Sequence, residues 1–237
     1  MTGISGIMLQ MNSMEIKNID LFASLSEEEL SKISEQITFK EFKKNQVILR
    51  EEETSEYMYM ILSGKVKVMQ INEEGKETIL AFHNPGDFFG ELSLIDGKTA
   101  PATVVATENS GVALINKKDF FSMLLGQGKV MMRLLNILST RLREAYDRIQ
   151  ILSFSNAAQR LKMLFIMLAE MYGQKTEKGI RLEIKLTHQN IADMTGIARE
   201  TVTRIINKAQ KENDIILEGK VIYLNPEYLK KDFEIKK

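Results

Sequence analysis

The stretch Leu186-Thr187-His188-Gln189-Asn190-Ile191-Ala192-Asp193-Met194-Thr195-Gly196-Ile197-Ala198-Arg199-Glu200-Thr201-Val202-Thr203-Arg204-Ile205-Ile206-Asn207-Lys208-Ala209 sets the architecture of the C-terminal part of the chain. It reads as a short helix, a tight turn and a second helix. Ile191, Ala192 and Met194 give the first helix one apolar side. Gly196 stands where a tight turn needs a residue without Cβ, and Val202, Ile205, Ile206 and Ala209 recur at helical spacing in the second helix. The face left over carries Arg199, Thr203, Arg204, Lys208 and Lys211, with Glu200 as its one acid. Most charge clusters are ordinary solvated surface. Here the turn glycine, the two short helices and the adjacent Arg-Glu pair occur together, and each serves a different part of the geometry that docks a helix in the DNA major groove. The pattern predicts a DNA-binding helix-turn-helix.

On either side of this stretch the period is that of a strand. Ile180-Arg181-Leu182-Glu183-Ile184 alternates ahead of it, and Ile215-Ile216-Leu217, the turn Glu218-Gly219 and Lys220-Val221-Ile222-Tyr223-Leu224 predict a hairpin behind it. That makes residues 156–237 a winged helix, with the wing expected near phosphate. Further upstream Asn156 suits the N-cap of a helix from Ala157 to Tyr172, whose Leu161, Leu164, Phe165 and Leu168 are expected to cover the DNA-binding domain.

Residues 129–155 read as a dimerisation helix and hinge. Met131, Leu135, Leu138, Leu142, Ala145, Ile149 and Leu152 are spaced alternately by four and three, while Arg141, Arg143, Glu144, Asp147 and Arg148 fill the flanks. A helix packed only on its own domain shows a broader apolar face, so the narrow seam favours a parallel homodimer. Ser153-Phe154-Ser155-Asn156 breaks the seam as the hinge.

Residues 18–128 carry a different signal. Ser26-Glu27-Glu28-Glu29 is a capping box opening a short helix with Leu30, Ile33 and Ile37 on its buried side. From Phe39 to Ile115 the period is two: Val47, Leu49; Tyr57, Tyr59, Ile61; Val66, Val68; Thr78, Leu80, Phe82; Thr103, Val105. Turn signals at Lys44-Asn45, Ser63-Gly64, Glu74-Gly75, Pro85-Gly86 and Asp96-Gly97 separate these runs, which predicts an antiparallel roll or barrel. Residues 1–17 hold four methionines and no period, and a flexible tail is expected there.

Composition narrows the function. The 237 residues are 44% hydrophobic and 27% charged, enough for two cores. Apolar runs such as Leu164-Phe165-Ile166-Met167-Leu168-Ala169 fall short of the about 20 residues that cross a bilayer, so no membrane partner is expected. Nor is a basic segment followed by an apolar one present at the N-terminus, and the chain is expected to be cytoplasmic. The absence of cysteine removes disulfides, thiolate-held zinc, iron–sulfur clusters and thiol switches. The formal net charge is +0, so DNA affinity has to come from local clustering. No phosphate-binding loop, Ser-His-Asp order or metal-spaced histidine pair occurs, and His83 and His188 fall in different expected domains, so an enzyme is not expected.

The order of these parts resembles the cyclic-AMP receptor protein and fumarate-nitrate regulator family of bacterial transcription factors, from Leu21 to Tyr228. The resemblance rests on Leu21-Phe22-Ala23-Ser24-Leu25-Ser26, Ile61-Leu62-Ser63-Gly64-Lys65-Val66-Lys67-Val68, Pro85-Gly86-Asp87-Phe88-Phe89-Gly90-Glu91-Leu92-Ser93-Leu94 and Arg199-Glu200-Thr201-Val202-Thr203-Arg204. It implies an α+β protein: an N-terminal antiparallel β jelly roll like a cyclic-nucleotide-binding domain, a long dimerisation helix and a C-terminal winged helix-turn-helix. It also implies palindromic promoter DNA and RNA polymerase as partners. In the family, bases are read from the positions of Arg199, Glu200 and Arg204. Arginine forks suit guanine and a carboxylate accepts from cytosine, so a TGTGA-like half-site is expected, with Thr187, Thr203 and Lys208 as further contacts. Ala198 departs from the serine that often caps this helix in the family.

The effector pocket implied by the resemblance comprises Gly90, Glu91, Leu92, Ser93, Ala100, Pro101 and Tyr146. Cyclic-nucleotide binders hold the phosphate with Arg-Ser or Arg-Thr where this chain has Ala100-Pro101. The counter-charge is gone, and proline removes an N–H donor, so a buried anion there would cost several kcal/mol. Glu91 suits a ribose hydroxyl or a structural acceptor for loop N–H groups, and Ala145 and Tyr146 do not preserve the hydroxyl pair that meets the adenine. Lys98 offers a replacement charge. Cyclic AMP in its familiar mode is therefore not expected. Some family members bind haem in the sensor, where His83 is this chain's one histidine, but a lone strand histidine is more often structural, and Met58 and Met60 more often core. Three readings of control remain open: another small effector, no effector at all, or a nucleotide- or haem-sensing module acting through protein contacts.

Overall fold

The computed structural model describes residues 16–154 and 156–230. It divides into two compact units at Ser139 and Thr140.

In the first unit, a single 3-10 turn at Asp20–Phe22 leads to helix α1, Glu27–Ser34. The Ser26 hydroxyl accepts from the Glu29 N–H at 3.3 Å and Glu29 accepts from the Ser26 N–H at 2.8 Å, the reciprocal cap read in the sequence. Eight strands follow: β1 Ile37–Phe42, β2 Val47–Leu49, β3 Tyr57–Ser63, β4 Val66–Ile71, β5 Glu77–His83, β6 Phe88–Phe89, β7 Thr103–Ala106 and β8 Ser110–Asn116. They pair antiparallel into two four-stranded sheets, ordered β1-β8-β3-β6 and β2-β7-β4-β5.

Strand β3 divides the core. Its Met58 and Met60 point into one cluster with Leu21, Phe22, Leu30 and Phe120, while Tyr59 and Ile61 point into the other with Phe89, Val104 and Val112. A strand buried on both faces loses polar alternation, and the two methionines fill the side that alternation alone leaves unassigned.

Several expectations are corrected here. Ile37 does not continue the face of α1 but opens β1 opposite Ile115, since the helix ends at Ser34. In β5 the expected face of Thr78, Leu80 and Phe82 breaks: Thr78 is exposed and Ile79 buried. Val68 and Met69 are adjacent on β4 but pair with Ala81 and Ile79, so Leu80 is an extra residue that reverses the facing. Asp96-Gly97 is not a hairpin turn. It closes helix α2, Glu91–Asp96, where Gly97 at φ 72° gives its N–H to Ser93 O. Helix α3, Lys117–Gly126, was not expected either. Asn116 caps it by accepting from Asp119 N at 3.0 Å. Most of the expected tail, and Ser155 of the expected hinge, lie outside the described residues. Ile16, inside that tail, is buried with Ile19 and Leu21.

Helix α4 runs unbroken over Gly128–Ser153. In the first unit Val130 and Leu134 are buried in the β3 methionine cluster, with Met131 and Leu138 half-buried against it. The rest of the seam is open in the single chain: Leu135, Leu142, Ile149 and Leu152 are 48–64% exposed, and Ala145 is exposed. Arg148, expected on a solvated flank, is instead desolvated. Burial pulls its guanidinium below the ordinary range, opposed by Tyr172 and Glu144.

The second unit contains α5 Ala157–Tyr172, β9 Gly173–Thr176, β10 Gly179–Leu182, α6 His188–Thr195, α7 Arg199–Lys211, β11 Ile215–Glu218, β12 Val221–Leu224 and α8 Pro226–Lys230. The sheet order is β11-β12-β10-β9. Asn156 caps α5 through Ala158 N at 2.8 Å, and Leu161, Leu164, Phe165 and Leu168 are buried as expected. Strand β10 is shorter than the alternation predicts, because Glu183 N turns to Tyr172 O at 2.8 Å. Strand β9 is Gly-Gln-Lys-Thr, exposed throughout, and carries no period to read.

Helix α8 is held to α5 by a partly polar contact. The buried Lys162 ammonium lies 5.5 Å from the Tyr228 ring centroid. Burial, with Asp214 and then Glu212 adding to it, pushes the Tyr228 phenol from 10.0 to about 12. A phenol raised in the folded state stabilises that state below pH 10, and the contribution disappears as pH rises through 12. We expect the intact protein to lose at most about 2–3 kcal/mol from this source across that window. Tyr228→Phe should show a shallower alkaline fall in stability, measured by urea unfolding at stepped pH, and identical slopes would contradict the assignment.

Candidate nucleic-acid interface

Helix α6 has only eight residues, too few to be stable alone, and it is fixed from both ends. At its start the Thr187 hydroxyl accepts from Asn190 N at 3.1 Å, while Asn190 Oδ1 accepts from Thr187 N at 3.0 Å. Thr187 also donates to Asn190 Oδ1 at 2.8 Å, so this residue, expected as a further DNA contact, caps α6. At the other end Gly196 adopts φ 65°, where a side chain is strained. A Cβ there would sit 3.7 Å from Arg160 Nη1 and 3.9 Å from Leu152 Cδ2, ordinary contacts, so backbone conformation and not space requires the glycine.

Arg160, on α5, joins this turn to the end of α4. Its Nε and Nη2 donate to Phe154 O at 3.1 and 2.6 Å, and Nη1 donates to Thr195 O at 3.1 Å. Thr195 O is one of the last carbonyls of α6, which lack partners within the helix, and a cation is favoured there. The sequence reading missed Arg160, because its position on α5 gives no hint that a carbonyl 35 residues further along the chain lies within its reach.

Helix α7 packs through Val202, Ile206 and Ala209, with Ile205 half-buried. Ala198 at its N-cap makes no side-chain bond, as its chemistry requires. Outward it presents Arg199, Glu200, Arg204, Lys208 and Lys211, all exposed. A shallow depression along this face is lined by Glu200, Thr203, Arg204, Asn207, Lys208 and Lys211. Arg199 and Arg204 form no ion pair among the described residues. Lys208 reaches Glu212 at 3.7 Å, an exposed pair of little energetic weight. Asn207 was missed, although it stands three residues after Arg204 on the same exposed face and its amide can pair with adenine. Thr203 donates to Arg199 O at 3.0 Å and lies 2.9 Å from His188 Nδ1.

The wing is the β11–β12 hairpin, turning at Gly219 with φ 64°. Lys178, at the β9–β10 turn, pairs with Glu218 and lies 5.6 Å from the Tyr223 ring. The Lys178 hydrogen bond holds the Glu218 carboxyl below its usual range. The wing's acid is thus neutralised within the module and does not repel phosphate.

In the first unit, Gly90, Glu91, Leu92 and Ser93 gather at the start of α2. Gly90 is left-handed at φ 85°, Glu91 and Ser93 are buried, and Leu92 is exposed. The Ser93 hydroxyl has no hydrogen-bond partner among the described atoms. Ala100 is buried and already paired by backbone: its N–H donates to Glu53 O at 2.9 Å and its carbonyl accepts from Glu52 N at 2.8 Å. Pro101 O accepts from Gln70 Nε2 at 2.8 Å. Tyr146 belongs to the second unit and is exposed. The His83 ring stacks on Phe89 at 6.4 Å, and its Nδ1 lies 3.6 Å from Asp87 Oδ2. No group of three metal-binding side chains occurs among the described residues.

Comparison with known proteins matches residues 39–127 to the cyclic nucleotide-binding domain and residues 159–232 to the Crp-like helix-turn-helix domain. The chain is 34% identical over 176 residues to the cAMP-activated global transcriptional regulator CRP of Salmonella typhimurium, covering 74% of this chain and 83% of that protein. It is 28% identical over 207 residues to the CRP-like cAMP-activated global transcriptional regulator of Mycobacterium tuberculosis, covering 86% and 92%. In fold it is similar to CooA from Carboxydothermus hydrogenoformans, with a TM-score of 0.75, 22% identity and 94% of each chain covered.

Arg160→Ala removes three charge-assisted bonds. We expect it to destabilise the second unit by roughly 2 kcal/mol, read by urea unfolding. A change confined to the first unit, or none, would contradict the role given to this side chain.

Proposed function

The chain belongs to the CRP/FNR family of DNA-binding transcription regulators and is not an enzyme, and from this we propose that it acts as a homodimer that reads a palindromic promoter site. The observation that carries the reading is α7: a helix anchored by Val202, Ile206 and Ala209 that turns Arg199, Glu200 and Arg204 outward with no ion pair to satisfy the two arginines among the described residues. Arg199 and Arg204 donate to guanine O6 and N7, and Glu200 accepts from cytosine N4, which favours TGTGA-like half-sites. Thr203, Asn207 and Lys208 line the same face. Thr187 contributes as the cap that sets α6, and the wing lies beside phosphate.

The open seam supports the dimer. Leu135, Leu142, Ile149 and Leu152 leave an apolar stripe at heptad spacing, the pattern that a second copy covers in a two-stranded coil. Met131, Leu138 and Ala145 complete the same register. Two copies set their α7 helices into successive major grooves about 34 Å apart. RNA polymerase is the protein partner at the promoter, a reading that family membership supports.

Cyclic AMP does not enter the roll in the arginine-held mode. Ala100 is buried with its backbone paired, and Pro101 brings neither charge nor N–H, so a phosphate beside them would be desolvated without compensation. The dimer is switched by another effector, seated about Gly90, Glu91, Leu92 and Ser93, or by its abundance alone.

Binding to a duplex palindrome and to single-base variants tests this. Arg199→Ala and Glu200→Ala should each cost about 1–3 kcal/mol on the preferred site and level the preference at one base pair. Unchanged preference in both would contradict direct readout. Saturating cyclic AMP should leave the wild-type affinity for the palindrome unchanged, and a tenfold increase would contradict the reading of Ala100-Pro101.

A further inference from the structure

His188 opens α6, and its Nδ1 lies 2.9 Å from Thr203 Oγ1 on α7. Thr203 owns one hydroxyl proton, and its Oγ1 lies 3.0 Å from Arg199 O, the carbonyl one turn back to which a helical threonine donates. The one Thr203 proton serves either Arg199 O or the neutral ring, whereas in the imidazolium Nδ1 carries hydrogen and donates to Thr203, which then donates to Arg199 O. Adding a proton charges the ring and leaves the chain His188–Thr203–Arg199 O intact. Protonation therefore requires no rearrangement between the two helices.

The ring also stands close to the surface read as the DNA interface. Thr203 lies on α7 between Arg199 and Arg204 and lines the same depression as Arg204 and Lys208. The charged groups on the segments about His188 are Lys185 ahead of α6, Asp193 on α6, and Arg199, Glu200 and Arg204 on α7. Asp193 accepts from Gln189 Nε2 at 2.7 Å. The chain has two histidines and no cysteine, and the other histidine, His83, is in the first unit. Imidazole is the side-chain type whose ordinary range spans pH 5 to 8, and these two rings are the chain's imidazoles.

We propose that His188 is a protonation-dependent DNA contact: its imidazolium form brings to a phosphodiester oxygen of the operator a positive charge that its neutral form lacks. This rests on the reading of α7 as the helix that meets DNA. It makes operator affinity rise as pH falls through neutrality, with no ligand in the sensor.

The test is fluorescence anisotropy of the full chain on a duplex palindrome at fixed ionic strength. The wild type should bind about a hundredfold more tightly at pH 6 than at pH 8, about tenfold for the one charge-assisted bond of each of two copies. The plot of log affinity against log salt should steepen at pH 6 by about 0.9 for each additional phosphate that an imidazolium neutralises. His188→Gln should bind as the wild type does at pH 8 and lose both effects. His188→Arg, charged throughout, should bind tightly at both values, and His83→Gln should keep the wild-type response. Equal wild-type affinity at both pH values, or a pH response retained by His188→Gln, overturns this proposal alone. A wild type that binds no duplex at either pH overturns it together with the reading it rests on.

Discussion

The left-handed turn at Gly196, clasped by Arg160, is the constraint on which the DNA-binding unit depends. A helix as short as α6 does not persist in water, and its eight residues are ordered only because both ends are tied and Ile191, Ala192 and Met194 are buried. The turn then sets the angle at which α7 leaves. A Cβ at Gly196 would be strained by φ, not by crowding, so the position fixes direction while leaving Leu152 and Arg160 in ordinary contact range. Through Phe154 O, the same guanidinium holds the segment that follows the seam helix. One side chain thus relates the end of α4 to the turn that aims the reading helix.

The seam helix carries two apolar faces with different partners. Val130 and Leu134 complete the core around Phe120 in the first unit. The face of Leu135, Leu142 and Ile149 has no counterpart among the described residues. Leaving that much aliphatic surface in water is unfavourable by the burial energy that a second copy would recover. The flank is less open than its charges imply, since Arg148 is desolvated beside Tyr172 and Glu144.

Sequence period made much of this legible, and its failures have physical causes. The helix-turn-helix, the wing and α5 were readable because each buries one face and leaves the other polar. Strand β5 was misread at Leu80 because a bulge reverses facing without changing composition. Helix α2 is only six residues long and β9 is polar on both faces, so neither leaves a periodic trace. On α7, the outward placement of Arg199, Glu200 and Arg204 was legible from residue type and spacing. Arg160 and the pairing of His188 with Thr203 were not, because their roles consist of hydrogen bonds between helices that only the folded chain brings together. The cap that the Thr187 hydroxyl makes with Asn190 was likewise not read in the sequence.

The chain shares its family with cAMP-activated relatives. Its sensor presents a left-handed Gly90 and a buried Glu91 at the start of α2, and a buried Ala100 followed by Pro101 in the loop into β7. A dimer that needs no cyclic nucleotide to form is the central claim, and native mass spectrometry of the ligand-free chain, titrated with a full palindrome and with a single half-site, tests it most directly. Two chains in free solution, two chains on each palindrome and much weaker binding to the half-site are the expected result. A monomer that occupies each half-site independently, with equal affinity for palindrome and half-site, would contradict it.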